Sequence, residues 1–352
     1  MTELDQALIR FQRGDLEYGG GLANHGPMAA EALGVLGHEA LIPAFVDVYA
    51  PRLAPLEVGR PLDPARFAAS IGNGADADWV ATFLGLLERE PWQDVLGRWL
   101  PDLLPGLFAA AMHGLLRTGH AVRALHEGAT PPRIRELAFG LAYWASRHHP
   151  LPGAPGSAPV PGLGPLALLG ELPLVPSAER NPGFFDAAVR VLDGRTDFAA
   201  AIARLDLAGA DPSEMISDLC REAARLYLVH PELRIAYAHC VTGPSALRLV
   251  ADHLDPASLR AGVGYAVQAV AALHVTHALR SDAPTGPSAE TARLAGSTAE
   301  IRYRAACSAE EHAIKLTEAC LREDAVRSDP VLRLAAADAA IAMGASAGGR
   351  GG

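Results

Sequence analysis

The heptapeptide EEHAIKL, Glu310 to Leu316, contains the chain's single lysine. The other twenty-nine of its thirty basic side chains are arginine. Arginine keeps its proton in a protein, whereas a lysine taken out of water can lose it, because burial disfavours the charged form. The neutral amine is a base, a Schiff-base former, or a nucleophile toward carbon dioxide. With carbon dioxide it becomes a carbamate, an anionic oxygen ligand on a long arm. His312 lies three residues before Lys315, which on a helix brings both side chains out on one side. A coding bias toward arginine explains why lysine is scarce, but not why Lys315 is the survivor.

The thirteen histidines fall into two groups. His38, His126, His148, His149, His230 and His253 lie near predicted helix ends or among polar residues, as capping or surface groups do. Others sit in apolar helical contexts. His25 lies in ANHGPMAAEAL, just before a helix start, and His239 in RIAYAHCVTGPSALRLV. His274 and His277 share a face in ALHVTHAL. His113 lies in FAAAMHGLLRTGHAVRAL, with His120 seven residues on. Two helical turns bring His120 back to nearly the same face but about 10.5 Å along the axis. One of the two is then a ligand candidate and the other a neighbouring or substrate contact. A lone histidine on an apolar helix is commonly a satisfied core residue. The joint occurrence of His25, His113, His239, His312 and Lys315 puts a metal site on equal footing with that reading. Imidazole suits zinc, copper, iron or nickel. Four imidazoles and an oxygen donor leave one place on an octahedral ion, which fits iron better than four-coordinate zinc.

These residues need helices to hold them, and helical periodicity dominates the chain. Segments 27–37, 76–89, 106–127, 131–148, 183–193, 212–229, 232–253, 256–280, 288–322 and 329–343 carry apolar residues at three- and four-residue steps. Several start with proline or acidic residues and stop at glycine or arginine. Alternating β-branched runs are nearly absent. The fold class expected is all-α: a single large multi-helix domain over 1–343, with a disordered tail, GASAGGRGG, at 344–352. Residues 150–182 are rich in Pro and Gly and form a long connection that packs over the surface or covers a site.

Composition narrows the function. Half the residues are hydrophobic and the formal net charge is −10. A nucleic-acid backbone or an anionic membrane is a poor partner for such a surface. No signal peptide or membrane-spanning run is recognisable, so a cytoplasmic protein is expected. Cys220, Cys240, Cys307 and Cys320 form no CxxC and read as small buried hydrophobes. GLGPLA, 162–167, matches a dinucleotide fingerprint only on paper: no strand precedes it and Pro165 interrupts it. Walker A, GxSxG and HExxH motifs are missing.

Taken in order, NHGPMAAEALGVLG, MHGLLRTGHAVRAL, AHCVTGPSALRLV and EEHAIKL give the chain a resemblance to the questin oxidase-like family over most of its length. Each motif is loose; their order and spacing are more specific. The resemblance implies a helical oxidoreductase, an oxygenase of Baeyer–Villiger or ring-cleaving type acting on aromatic polyketides such as anthraquinones. It also implies a mononuclear non-heme Fe2+ held by histidines and a carboxylated lysine, with dioxygen as co-substrate. By position, His25, His113, His239 and His312 are the implied ligands and Lys315 the modified lysine. The chain departs from the family pattern at Arg117 and His120, where the family carries His and Tyr. Arg117 and His120 are the candidates for contacting a phenolate or carbonyl of a small aromatic substrate, and His120 stays an alternative to His312 as ligand. NADPH stays open as a further reductant, without a motif to carry it. Two other expectations stand beside this one: a metal-free NADPH-dependent oxygenase or polyketide cyclase using His and Lys as acid and base, and a non-enzymatic helical binding protein. Oligomeric state is left open.

Overall fold

The computed structural model describes residues 1–278 and 287–344. The expected tail, apart from Gly344, and the last two residues of the predicted helix 256–280 lie outside them. Among the described residues the protein is all-α. The first half carries α1 (Glu3–Phe11), α2 (Gly26–Val35), α3 (Ile42–Tyr49), α4 (Phe67–Ser70), α5 (Asp76–Leu87), α6 (Trp92–Leu103), α7 (Ala109–Glu127) and α8 (Pro131–Ser146). The second carries α9 (Pro165–Glu171), α10 (Phe185–Val189), α11 (Thr196–Ala203), α12 (Pro212–Val229), α13 (Arg234–Val250), α14 (Pro256–His277), α15 (Ala289–Leu294), α16 (Thr298–Cys307), α17 (Glu311–Val326) and α18 (Pro330–Asp338). Among the described residues the strands form one small antiparallel hairpin, β1 (Glu17–Tyr18) and β2 (Leu22–Ala23), whose tip is the glycine run 19–21, and a single isolated bridge joins Gly14 to Pro55.

Three helices, α12, α14 and α18, start at the same local signal. Asp211, Asp255 and Asp329 each accept hydrogen bonds from backbone N–H groups of the first turn, and proline follows each one. The carboxylate satisfies donors that a helix start leaves free, and proline there lacks the N–H that would need a partner. The predicted helix 288–322 is instead three helices. Gly296 and Ser297 separate α15 from α16, with Ser297 capping α16, while Ala309 at φ 51° and the cap Glu310 separate α16 from α17. Apolar periodicity continues across both breaks, so the pattern alone did not show them.

Four helices build the centre. α2 packs on α7, α7 on α13, α13 on α17, and α17 back on α2. α8 backs this ring by pressing against α7. That contact is close because glycine faces it from both sides. A Cβ on Gly114 would lie 2.6 Å from the Trp144 Cα, and one on Gly140 would lie 2.9 Å from the Thr118 backbone N. Gly114→Ala should therefore destabilise the protein by about 2 kcal/mol in urea denaturation, the overpacking cost exceeding the helix-propensity gain of about 1 kcal/mol. An unchanged or higher midpoint would mean that α7 and α8 can spread at no cost.

The 150–182 connection is partly ordered into helix. α9 lies within it, over part of the GLGPLA match, and no strand precedes it. Cys220, Cys240 and Cys320 are buried and free, as expected; Cys307 is exposed, because it ends α16 at the surface. No helix among the described residues is long and apolar enough to cross a membrane.

Candidate metal centre

Each helix of the central ring brings one histidine. His25 immediately precedes α2, and its backbone is pinned: its N–H donates to the Tyr49 hydroxyl at 2.8 Å, and Asn24 Oδ1 accepts from the Gly26 N–H at 3.0 Å. His239 lies in the second turn of α13, with Nδ1 2.6 Å from the Ile235 carbonyl one turn back. His312 lies in the first turn of α17, with Nδ1 2.8 Å from Glu310 Oε1. The other Glu310 oxygen caps α17 by accepting from the Ala313 N–H. One carboxylate thus starts the helix and orients the ring.

His113 is placed by a feature the sequence pattern did not suggest. The predicted helix 106–127 is regular only beyond residue 112: Ala110, Ala111 and Met112 have φ of 48°, 55° and 69°. In this left-handed region Cβ crowds the next carbonyl, at about 1–2 kcal/mol per residue. The turn folds the Ala110 carbonyl back onto His113 Nδ1 at 2.5 Å.

The four rings close into a circuit. Centroids are 4.5 Å apart for His25 and His113, 4.8 Å for His113 and His239, 5.8 Å for His239 and His312, and 4.6 Å for His312 and His25. A carbonyl or carboxylate at Nδ1 fixes the proton there in His113, His239 and His312, so Nε2 carries the lone pair. His113 and His239 set these two Nε2 atoms 3.4 Å apart. Two acceptors facing each other repel unless a cation or proton lies between them. His25 Nδ1 is buried with no hydrogen-bond partner. Imidazoles held through Nδ1 by carbonyls and carboxylates are the arrangement found around metal ions.

Electrostatics agree with neutral rings. Burial, then the Lys315 charge and the neighbouring imidazoles, pushes His25 well below its usual 6.5. Burial and His239, then Lys315, do the same for His113. Burial with His312 and Lys315 pushes His239 down to about 3. Lys315 is 3 % exposed. Burial lowers it to about 8, with Glu311 and Glu310 opposing.

The rings form part of the wall of a cavity of about 1150 Å³. Tyr18, Tyr143, Phe184 and Phe185 give it aromatic walls, and His277 also borders it. Phe185 stands edge-on to both His239 and His277. Phe184, Phe185 and Arg180 come from the end of the central connection and the segment after it, so this stretch covers the site. Gly21, in the hairpin tip, reaches the same rim.

The structure brings together His25, His113, His239, His312 and Lys315. It does not bring His120 or Arg117 to them. His120 Nδ1 is 2.6 Å from Glu31, which also pairs with Arg123, and Arg123 binds Glu318. Burial would raise Glu31, but Arg123 and His120 hold it down to about 2. Arg117 pairs with Glu136 at 2.6 Å. Both side chains border a separate void of about 10 Å³, too small for an aromatic substrate, and neither borders the large cavity. Substrate contact is thus corrected to a buried ion pair with Glu136 for Arg117 and to a buried hydrogen bond with Glu31 for His120, which burial pushes below its usual 6.5. Among the rings it is His312, not His120, that joins the cluster.

One group of the site went unnoticed in the sequence. Glu311 is buried, accepts from the Tyr18 hydroxyl at 3.3 Å, and stands 3.7 Å from Arg52. His25, Glu311 and His312 each offer a ligand atom within 4.8 Å of the others'. Glu311 is one turn before Lys315, and that spacing was the available signal.

Comparison of the chain with family models, with curated proteins and with solved structures found no match.

Proposed function

We propose that the protein is an oxidoreductase of the non-heme iron oxygenase type, acting on a small aromatic substrate in the large cavity. The observation that carries this reading is the pair of Nε2 lone pairs facing each other at 3.4 Å in a closed circuit of four imidazoles. A hydrophobic core has no use for opposed acceptors, and an acid–base site would leave one of them protonated. His25, His113, His239 and His312 would hold the ion, with an anionic oxygen donor from Lys315 as its carbamate. An iron held there supplies one-electron chemistry toward dioxygen, and Lewis acidity, that the side chains lack.

The residues of the chain do the rest. Lys315, lowered to about 8, is neutral in about a tenth of molecules at pH 7. The neutral amine adds to carbon dioxide, forming a C–N bond and releasing one proton; Glu311, one turn away, and Glu310 are the carboxylates that act on the amine. Ile235, Ala110 and Glu310 hold the protons of three rings on the side away from the circuit. Tyr18, Tyr143, Phe184 and Phe185 offer flat apolar surface and edge-on contacts suited to an aromatic ring, and the segment carrying the two phenylalanines limits water at the cluster.

Anaerobic purification and loading with ferrous iron test the reading. Stoichiometric iron is expected, with His239→Ala reducing it severely, and oxygen uptake dependent on both iron and a hydroxylated naphthalene or anthraquinone. Failure to retain any iron, zinc or cobalt would overturn it. So would turnover that survives exhaustive chelation, and that result would return the site to acid–base chemistry.

A further inference from the structure

Three arginines border the large cavity, Arg52, Arg180 and Arg234, and the protein uses them differently. Arg180 gives its three nitrogens to backbone carbonyls, those of Val175, His277 and Ala278. Arg234 holds the Asp338 carboxylate with two nitrogens and the Pro231 carbonyl with the third. In both, every nitrogen already has a protein acceptor, and the guanidinium ties segments of the wall together.

Arg52 is placed otherwise. It ends the short 3-10 turn Ala50–Arg52 that continues α3. Its guanidinium rests on the Tyr49 ring, with the central carbon 5.1 Å from the ring centroid. The ring supports the cation without taking an N–H donor from it. Glu311 Oε2 stands 3.7 Å from Nη1, close enough to attract but too far to accept a hydrogen bond. Among the described residues no hydrogen bond engages this guanidinium, and its side chain is 42 % exposed. A planar fork of unspent donors at the edge of an aromatic-walled cavity matches a planar carboxylate.

The location adds a second constraint. Glu311 offers a ligand atom within 4.8 Å of those of His25 and His312, and Arg52 stands against that same carboxylate. A group held by Arg52 therefore lies next to the imidazole circuit. Tyr18, which meets Tyr49 edge-on at 5.8 Å and also borders the cavity, flanks it with apolar surface.

We propose that Arg52 is a specificity-determining residue: its guanidinium receives a carboxylate carried by the aromatic substrate and so anchors the ring beside the imidazole circuit. The substrate class is then an aromatic acid, not a neutral arene. This names a substrate for the oxygenase reading above and rests on it for turnover; binding of the acid itself needs no metal.

Equilibrium dialysis of the metal-free protein at pH 7 against 2-naphthoate and the neutral, near-isosteric 2-naphthamide is the test. The wild type should bind the acid about 10-fold or more tighter than the amide, the discrimination expected of hydrogen bonds to a charged group. Arg52→Gln should abolish that preference and leave amide affinity unchanged. Glu311→Gln should tighten the acid by removing a like charge, and the double variant Arg52→Gln/Glu311→Gln should still show no preference. Circular dichroism confirms that each variant is folded. Absence of a preference in the wild type would overturn the proposal, and so would its survival in Arg52→Gln. Its return in the double variant would overturn it too, because Arg52 would then act only by masking Glu311. Lys315, mostly charged at pH 7 without metal, is the rival anchor: the preference should persist in Lys315→Met, and its loss there would assign the acid to the amine instead. A protein that shows the predicted preference but retains no iron, zinc or cobalt would sink the metal reading and leave Arg52 as the anchor.

Discussion

Lys315→Met is expected to stabilise the metal-free protein and to abolish tight metal binding. The first effect follows from burial. Unfolded, the amine titrates near 10.5; folded, it is lowered to about 8. The folded state therefore binds fewer protons than the unfolded state between those values, and stability rises with pH across that window. Below pH 8 the whole penalty is present, about 3 kcal/mol. Methionine has a similar shape and no charge to desolvate, so the variant should gain about that much at pH 7 and lose the rise above pH 8. The second effect runs the other way: without an amine there is no carbamate, and metal affinity should fall more than about 100-fold, beyond the 10–100-fold typical of removing a partner that only orients a ligand. Urea denaturation at pH 7 and 10, with metal titration, reads both. A variant that gains stability and binds metal unchanged would transfer the oxygen-donor role to Glu311, which already lies with His25 and His312. A variant less stable than wild type would show that the amine is a satisfied structural group.

Acid should unfold the metal-free protein early. His25 and His113 are held well below 6.5 and His239 at about 3. Below 6.5 the unfolded chain takes up protons on these three rings that the folded chain resists, His239 down to about 3, so stability present at neutral pH is lost as pH falls. Each site contributes about 1.4 kcal/mol per pH unit, so the three together contribute about 4. Against a typical stability of 5–15 kcal/mol, this places the acid midpoint at about pH 4–5. Glu31, held at about 2 by Arg123 and His120, loses its stabilisation in the same direction as it protonates. His239→Gln should flatten the slope by about one proton, and bound metal should move the midpoint down, because it protects the neutral rings. Stability that stays flat from pH 6.5 to 5 would mean that the imidazoles accept protons without leaving the fold.

Much of this site can be read along the chain, and the exceptions share a cause. His25, His113 and His239 stand out because each is a polar group in an otherwise apolar stretch, where such groups need a partner; Lys315 stands out as the single lysine, with His312 three residues before it. The helical face shared with His113 pointed to His120, and the family resemblance to His120 and Arg117. Neither could tell a buried carboxylate partner from a substrate contact, because those carboxylates, Glu31 and Glu136, lie 89 and 19 residues away. Glu311 was hidden for the opposite reason: glutamate in a first helical turn is so common as a favourable end charge that nothing marked it as buried.

Local chemistry along the chain therefore determined that the protein is helical, where its Asp–Pro caps start helices, and which imidazoles and amine sit among apolar neighbours. These are short-range properties, set within a turn or two by hydrogen bonding and side-chain character. Tertiary packing decided the rest. It closed α2, α7, α13 and α17 into a ring so that four histidines spread from residue 25 to residue 312 meet. It also forced residues 110–112 into a left-handed turn that no local preference favours, and laid the segment carrying Phe184 and Phe185 over the cavity. Such features depend on which surfaces meet, and the energy that stabilises them comes from contacts between residues far apart in the chain, where local propensity has no influence.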